Sequence, residues 1–304
     1  MIKQKQPLVS VVMSCYNGEL FLKQTIESIL AQTYSNFEFI IWDDGSTDRS
    51  KEIIDSFNDA RIRYFYHENT GLGMALHLAC EQVKGEYIAR IDSDDIAYPK
   101  RFKREVDFLE SHPDYVLVSS AVDYIDEEGN TLGRSLPCTI DRVLRGAIYR
   151  GNKIVHPMVM FRREAYVKTG GYSGVYYYED ILLWSRMANF GKFHNIPSPL
   201  GQYRLLKKSL SRSENKYRPI LFEFIKKMSK DPALMNSDID MYNSLYKQSK
   251  KNCIINEKGI SRRKVTALYR VYKFLKPILG ERISQTISIF LTNVYHLLKM
   301  SFEK

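Results

Sequence analysis

Apolar residues along the first ninety-five positions follow two alternating rhythms. Short runs at Val9–Ser14, Phe37–Trp42, Arg61–Tyr66 and Glu86–Ile91 are rich in Val, Ile, Phe and Tyr, as strands are. Between them, Leu22, Ile26, Ile29 and Leu30 recur at three- and four-residue spacing, and so do Leu72, Ala75, Leu76, Ala79 and Val83. That spacing lays an apolar stripe along one face of a helix. Strand–helix alternation of this length predicts βαβ units and a parallel sheet, with Lys84-Gly85 ending the second helix.

Beyond this point the rhythm loosens. Pro99 sits where it would open a helix carrying Phe102, Val106 and Leu109, and Val116–Val122 reads as a strand followed by a turn at Glu127–Gly129. Residues 139–149 read as a helix, Ile154–Phe161 as a strand, and Glu179–Phe190 as a helix stopped by Gly191. After residue 204 glycine and strand-like runs give way to helical patterns joined by polar segments. The chain therefore divides into an α/β domain over 1–204, with halves at about 1–98 and 99–204, and a helical C-terminal region over 205–304.

Composition narrows the classes. In 304 residues, 44% are hydrophobic and 26% charged, enough to fill a core and to exclude global disorder. Four cysteines, Cys15, Cys80, Cys138 and Cys253, form no C-x-x-C pair, so neither a zinc site nor a disulfide framework is indicated and a reducing, cytoplasmic compartment is expected. No apolar run reaches the 18 residues of a membrane span, and Leu8–Cys15 is too short for a signal peptide.

Charge is unevenly placed. Residues 1–204 hold 24 basic against 27 acidic side chains, whereas 205–304 hold 21 against 8. Within that basic part, Val265, Leu268, Tyr272 and Leu275 share one helical face while Arg263, Arg270 and Lys273 share another. Such a helix suits an anionic membrane surface, which predicts peripheral attachment at the inner face of the cell membrane. Further on, Ile283, Ile287, Phe290, Val294 and Leu297 form a short heptad stripe that would pair two chains as a homodimer or dock on the α/β domain. Nucleic acid ranks below these partners, because the basic block carries no reader motif.

In parallel α/β sheets, ligands bind beyond the carboxyl ends of the strands. The first strand runs into Ser14-Cys15-Tyr16-Asn17-Gly18, the second into Asp43-Asp44-Gly45-Ser46-Thr47-Asp48, and the fourth into Asp92-Ser93-Asp94-Asp95. No G-x-G-x-x-G dinucleotide cradle is present. The D-x-D carboxylates are hard oxygen ligands suited to Mg²⁺ or Mn²⁺, an ion that commonly completes its shell with substrate phosphates.

Taken in order, PLVSVVMSCYNGELFLKQTIESILAQTY, FEFIIWDDGSTD, GLGMAL, GEYIARIDSDD, HPMVMFRREAY and YYYEDILLW resemble the family 2 inverting glycosyltransferases, which have the GT-A, nucleotide-diphospho-sugar transferase fold. The likeness covers about residues 7–204 and implies a nucleotide-sugar half followed by an acceptor half. It implies that Ser14, Tyr16 and Asn17 line the nucleotide, that Asp44, with Asp43 beside it, receives the uracil, and that Arg90 approaches the donor. It places ribose and nucleotide-sugar contacts on Asp92, Ser93 and Asp94, and a Mn²⁺ or Mg²⁺ on Asp94 and Asp95. Glu179-Asp180 matches the family's acidic pair, with Asp180 the general base toward the acceptor hydroxyl.

His156 and Trp184 are weaker candidates, the tryptophan more plausibly a core residue. Tyr203-Arg204-Leu205-Leu206 lacks the histidine that many relatives carry near this point, and the Q-x-x-R-W motif of processive synthases is absent. The resemblance thus implies transfer of one hexose or N-acetylhexosamine from a UDP-sugar to a lipid-linked glycan in bacterial surface-polysaccharide biosynthesis. Two other classes compete: a sugar-nucleotide nucleotidyltransferase, and a catalytically silent UDP-sugar-binding scaffold at the membrane.

Overall fold

The computed structural model describes residues 6–149, 152–175, 177–207 and 225. In chain order the elements are β1 (Val9–Cys15), α1 (Leu22–Leu30), β2 (Phe37–Asp43), α2 (Ser50–Asp55), β3 (Ile62–Tyr66), α3 (Leu72–Glu81), β4 (Tyr87–Arg90), β5 (Ile96–Ala97) and α4 (Arg101–Ser111). There follow β6 (Tyr115–Ile125), β7 (Thr131–Arg134), α5 (Asp141–Ala147), a 3₁₀ turn over His156–Met158, β8 (Met160–Arg162), α6 (Arg163–Lys168), α7 (Glu179–Met187) and β9 (Lys192–Arg204).

Among the described residues the strands form one sheet in the order β3-β2-β1-β4-β8-β6-β9-β5, with β7 paired to β6 outside that path. The first four are parallel, as the βαβ rhythm requires. β8 lies antiparallel to both β4 and β6 and joins this half to the parallel β6–β9 pair. This is the α/β, GT-A-like architecture expected from the sequence.

Burial explains the elements. Val9, Val11, Val12, Met13 and Cys15 are all buried, so both faces of β1 are covered. On one face α1 seats Leu22, Ile26 and Ile29 with Phe102, Val106 and Leu109 of α4, each such side chain stabilising the fold by about 1.5–3 kcal/mol. Arg101, fully buried at the start of α4, pairs with Glu105 and donates from Nη2 to Arg90 O at 2.7 Å and Val159 O at 3.2 Å. It thereby fixes the end of β4, from which the acidic loop departs.

The structure corrects some expected boundaries. Ile154–Phe161 is not one strand. Pro157, with no N–H to give a ladder, lies in the 3₁₀ turn, and only Met160–Arg162 pairs with the sheet. His156 therefore sits on a turn rather than at a strand end. α3 ends at Glu81, before Lys84-Gly85, and α7 ends at Met187, before Gly191. The sequence pattern gave no sign of α2, β5, β7, α6 or β9; Pro197 and Pro199 within β9 break its strand-like appearance. The C-terminal basic helix and heptad stripe fall outside the described residues.

Candidate active site

The loops at the carboxyl ends of β1, β2 and β4 share one end of the sheet. Register pairs Cys15 with Asp43 and Val12 with Arg90, so the β1 loop lies between the two acidic loops. The β1 and β2 loops are latched together. Asn17, at φ 52°, accepts from Thr47 N at 2.8 Å through its side chain and donates from its backbone N–H to Ser46 Oγ at 2.9 Å. Asparagine is among the few residues that adopt this left-handed backbone readily. Ser14 is half-buried on β1, and the Tyr16 ring is 54% exposed beside it, open to a stacking ligand.

Asp43 and Asp44 are both buried but engaged differently. Asp43 accepts from Ser46 N at 2.8 Å and from Tyr64 Oη at 2.9 Å, so it shapes its own loop. Asp44 accepts from Thr70 N, Thr70 Oγ1 and Gly71 N at 2.8–2.9 Å, tying the β2 end to the start of α3. A carboxylate offers about four acceptor positions. By that count one position on Asp44 Oδ2 is left over, and one on each oxygen of Asp43.

Charge concentrates in the loop after β4. One ligand oxygen each from Asp92, Asp94 and Asp95 lies within 4.8 Å of the others. Arg90, buried at the end of β4, pairs in fork fashion with both Asp92 oxygens. Ser93 helps seat the loop, its carbonyl accepting from Thr25 Oγ1 at 3.0 Å. Asp95 is buried; its Oδ1 accepts from Arg204 N at 2.8 Å and its Oδ2 has no hydrogen-bond partner.

Burial, with Asp92 adjacent, pushes the Asp94 carboxyl up to about 7. Burial, with Asp94 and Asp92 close by, also holds Asp95 well above the usual carboxylate range. An orphaned buried carboxylate oxygen among repelling oxygen donors fits a hard divalent cation, which would relieve both penalties.

Arg204, at the end of β9, was not marked as a site residue by its motif. Its Nε donates to Asp94 O at 2.9 Å, Nη1 to Asp126 O and Glu127 O, and Nη2 to Gln24 Oε1. The guanidinium lies 4.3 Å from the Phe21 ring centroid. It binds the acidic loop to α1 and to the β6–β7 turn from 109 residues away, a link no local pattern reveals.

The second acidic pair opens α7. Asp180 is half-buried, accepting from Ile181 N at 2.7 Å and Asn152 Nδ2 at 3.2 Å. Asn152, like Arg204, escaped the sequence reading. Burial raises the Asp180 carboxyl above its ordinary value. Buried Glu179 is pushed up to about 8 by burial and by the neighbouring Asp180.

His156 Nδ1 lies 3.7 Å from Glu179 Oε1, and His156 Nε2 is 2.9 Å from Tyr172 Oη. Burial and nearby Arg90 hold this imidazole neutral, so the Glu179 contact is not an ion pair. Trp184 is 0% exposed and packs edge-on against His156 and Phe161. It is a core residue and offers no face to a sugar.

Two predictions follow from this geometry. A Cβ on Gly73 of α3 would fall 2.6 Å from Ser173 O, 2.8 Å from Val175 O and 3.3 Å from Glu179 Cβ. Gly73→Ala is expected to push the 173–175 strand of chain off α3, lowering Tm by several degrees and displacing Glu179-Asp180; differential scanning calorimetry and a transfer assay check it. The second concerns pH. Glu179 ionises near 4.5 when unfolded and near 8 when folded, so the native state holds a proton that the unfolded state releases, and its stability falls as pH rises through that window. In EDTA, Tm should decline from pH 5 to pH 8.5, and Glu179→Gln should flatten the decline.

Residues 10–170, more than half of the chain, match the family model described as "Glycosyl transferase family 2". The chain belongs to that family. This family 2 glycosyltransferase is 36% identical over 207 residues to EpsE of Bacillus subtilis, a glycosyltransferase by name, covering 65% of this chain and 73% of EpsE. It is 32% identical over 203 residues to the amylovoran biosynthesis glycosyltransferase AmsE of Erwinia amylovora, covering 65% of this chain and 76% of AmsE. Its fold resembles that of residues 1–349 of S. aureus TarS in complex with UDP-GlcNAc, with a TM-score of 0.60 and 17% identity, covering 79% of this chain and 72% of that 1–349 chain. No helix among the described residues is long and apolar enough to cross a membrane.

Proposed function

We propose that this enzyme transfers a hexose or N-acetylhexosamine from a UDP-sugar, with inversion, to a hydroxyl of a lipid-linked glycan during assembly of a surface polysaccharide. The observation that carries the reading is the cluster of Asp92, Asp94 and Asp95 oxygens within 4.8 Å of one another after β4, with Asp95 Oδ2 buried and unpartnered, in a chain of the family 2 glycosyltransferases. The UDP-GlcNAc complex of TarS and the polysaccharide named for AmsE support the donor and the pathway class.

Asp94 and Asp95 would hold a Mn²⁺ or Mg²⁺, with Asp92 beside them. Such an ion supplies positive charge where the departing diphosphate accumulates negative charge. The chain's own groups do the remainder. Tyr16 presents a ring to the base, Ser14 and Asn17 border the nucleotide, and Asp44 Oδ2 offers its free acceptor position to a ring N–H. Arg90 and Arg204 hold the acidic loop in place from two sides.

Asp180 accepts the acceptor hydroxyl's proton as that oxygen bonds to the anomeric carbon, opposite the departing UDP, so an α-linked donor yields a β-linked product. A positioned carboxylate contributes about 10²- to 10⁴-fold in this role. Asn152 and the Ile181 N–H orient it. Residues 1–204 form the catalytic domain in this reading, and the basic 205–304 region attaches the enzyme to the anionic inner membrane face.

The test is calorimetric titration of UDP with and without Mn²⁺, followed by slow hydrolysis of a panel of UDP-sugars, which needs no acceptor. Manganese-dependent UDP binding with hydrolysis of one donor is the expected result. Release of pyrophosphate from a nucleoside triphosphate would assign a nucleotidyltransferase instead, and binding without any turnover would assign a scaffold.

A further inference from the structure

Among the described residues six large aliphatic side chains are exposed, and four of them, Leu132, Leu136, Ile140 and Val143, fall within twelve residues of chain. Single exposed apolar groups are ordinary on a protein surface, whereas a concentration of them marks a contact surface. Leu136 is 97% exposed, so the folded domain gives it almost no burial.

The stretch is an ordered ridge. From β7 the chain runs beside β6 and then β9, pinned as it goes. Ser135 N donates to Val122 O at 2.9 Å, and Ser135 Oγ accepts from Val122 N at 2.8 Å. Cys138 O accepts from Asn195 Nδ2 at 3.0 Å, and Asp141 Oδ1 from Phe193 N at 2.9 Å. Leu136 and Ile140 lie between these anchors. In α5, Leu144 turns into the core, while Val143, three residues after Ile140, stays outside with it. A ridge already held in place loses little further freedom on docking.

Charge selects the occupant. From Gly129 to Lys153 the sequence holds five basic residues, Arg134, Arg142, Arg145, Arg150 and Lys153, and one acid, Asp141, in a domain where acids outnumber bases by 27 to 24. Arg134 pairs with Asp123 and Arg145 with Asp141, while Arg142 and Lys153 are exposed. The Lys153 carbonyl shares Asn195 Nδ2 with that of Cys138, at 2.9 Å, which sets this lysine beside the ridge. Glu127 and Glu128 stand apart, at the turn before Leu132. Aliphatic side chains among cations match the boundary of an anionic bilayer, where apolar tips enter the acyl region and cations meet phosphate. Four such side chains are too few for a stable protein interface, which buries about 800 Å² on each partner.

The ridge is also tied to the proposed base. Asn195 joins Cys138 to Lys153, and the next residue, Asn152, donates to Asp180 Oδ2 at 3.2 Å. A bilayer gripped here lies against the acceptor half of the domain.

We propose that Leu132, Leu136, Ile140 and Val143, with Arg142 and Lys153, form a surface of the catalytic domain that docks on an anionic lipid bilayer, in addition to the attachment proposed for residues 205–304. The lipid-linked acceptor of the reading above gives this surface its purpose, and its test does not depend on that acceptor.

The experiment places a reporter in the full chain. Trp42 and Trp184 are buried, so the added fluorescence of Leu136→Trp reports the ridge, and that of Val167→Trp, at an exposed position on α6, is the control. With vesicles of phosphatidylcholine and phosphatidylglycerol, the Leu136→Trp emission should shift to the blue and be quenched by brominated acyl chains. The Val167→Trp emission should not change, and phosphatidylcholine alone should move neither. Leu136→Ser and Ile140→Ser made together remove apolar surface without adding charge. They should weaken vesicle partitioning about tenfold or more, while Tm and donor hydrolysis in vesicle-free buffer stay at the parent's values.

An unshifted Leu136→Trp emission while the chain sediments with the anionic vesicles would overturn the proposal, because residues 205–304 would then bind alone. So would unchanged partitioning of the double serine variant, or an equal response from Val167→Trp. A parent dimer that the double serine variant dissociates would make the ridge an interface between copies instead. A parent chain that binds no anionic vesicle would remove this surface together with the proposed membrane attachment, and would leave UDP binding and donor hydrolysis to decide the glycosyltransferase reading.

Discussion

Asp180→Asn is expected to lower transfer by about 10³-fold or more while UDP affinity stays within about threefold of the parent. The size follows from the chemistry. A weakly basic carboxylate becomes an effective proton acceptor only as the attacking hydroxyl acidifies along the reaction coordinate, and a positioned base of this kind contributes about 10²- to 10⁴-fold. The amide is nearly isosteric and can still accept from Ile181 N, as Asp180 does at 2.7 Å, so the start of α7 should hold its shape. Raised by burial, Asp180 lies closer to the pH at which a base is most useful. Single-turnover transfer rates beside calorimetric UDP binding measure the two effects separately, and retained turnover would take Asp180 out of the mechanism.

Asp95→Asn should have opposite effects on stability and on activity. Asp95 is buried with one unpartnered oxygen and with Asp94 and Asp92 close by. An asparagine keeps an oxygen for Arg204 N and removes the repulsion, so Tm in EDTA should rise by a few degrees. The same change removes a hard ligand from the proposed cation site. Loss of one transition-state charge partner costs about 10²–10³ in rate, and loss of the cation altogether should exceed that. A ligand at 100 times its Kd stabilises the folded state by about 2.7 kcal/mol, so the parent's Tm should climb on adding Mn²⁺ and the variant's should not. An equal manganese response in both proteins would place the cation elsewhere.

The opposed signs have one physical origin. Groups gathered to bind a cation repel one another until it arrives, and natural sites keep that cost because function requires it. Glu179, held up to about 8 beside Asp180, carries a smaller version of the same conflict.

Sequence by itself determined the N-terminal half of the sheet. β1, β2 and β4 are buried along their lengths and strongly apolar, the edge strand β3 is only half-buried, and the helices packed on the sheet repeat every three to four residues, so these strands with α1 and α3 were legible to within about three residues. The acidic loops were legible for a related reason: strand-end positions announce themselves once the strands are known, and the order of the quoted segments marked the family.

Tertiary structure alone decided what those carboxylates do. Nothing local distinguishes Asp43, which closes its own loop through Ser46 N and Tyr64, from Asp44, which ties the β2 end to Thr70 and Gly71. The supports Arg204 and Asn152 reach their partners across 109 and 28 residues, and β9 owes its strand state to pairing with β6 despite its two prolines. Periodicity records which face of an element is covered, whereas hydrogen-bond allocation depends on which distant atoms arrive beside it.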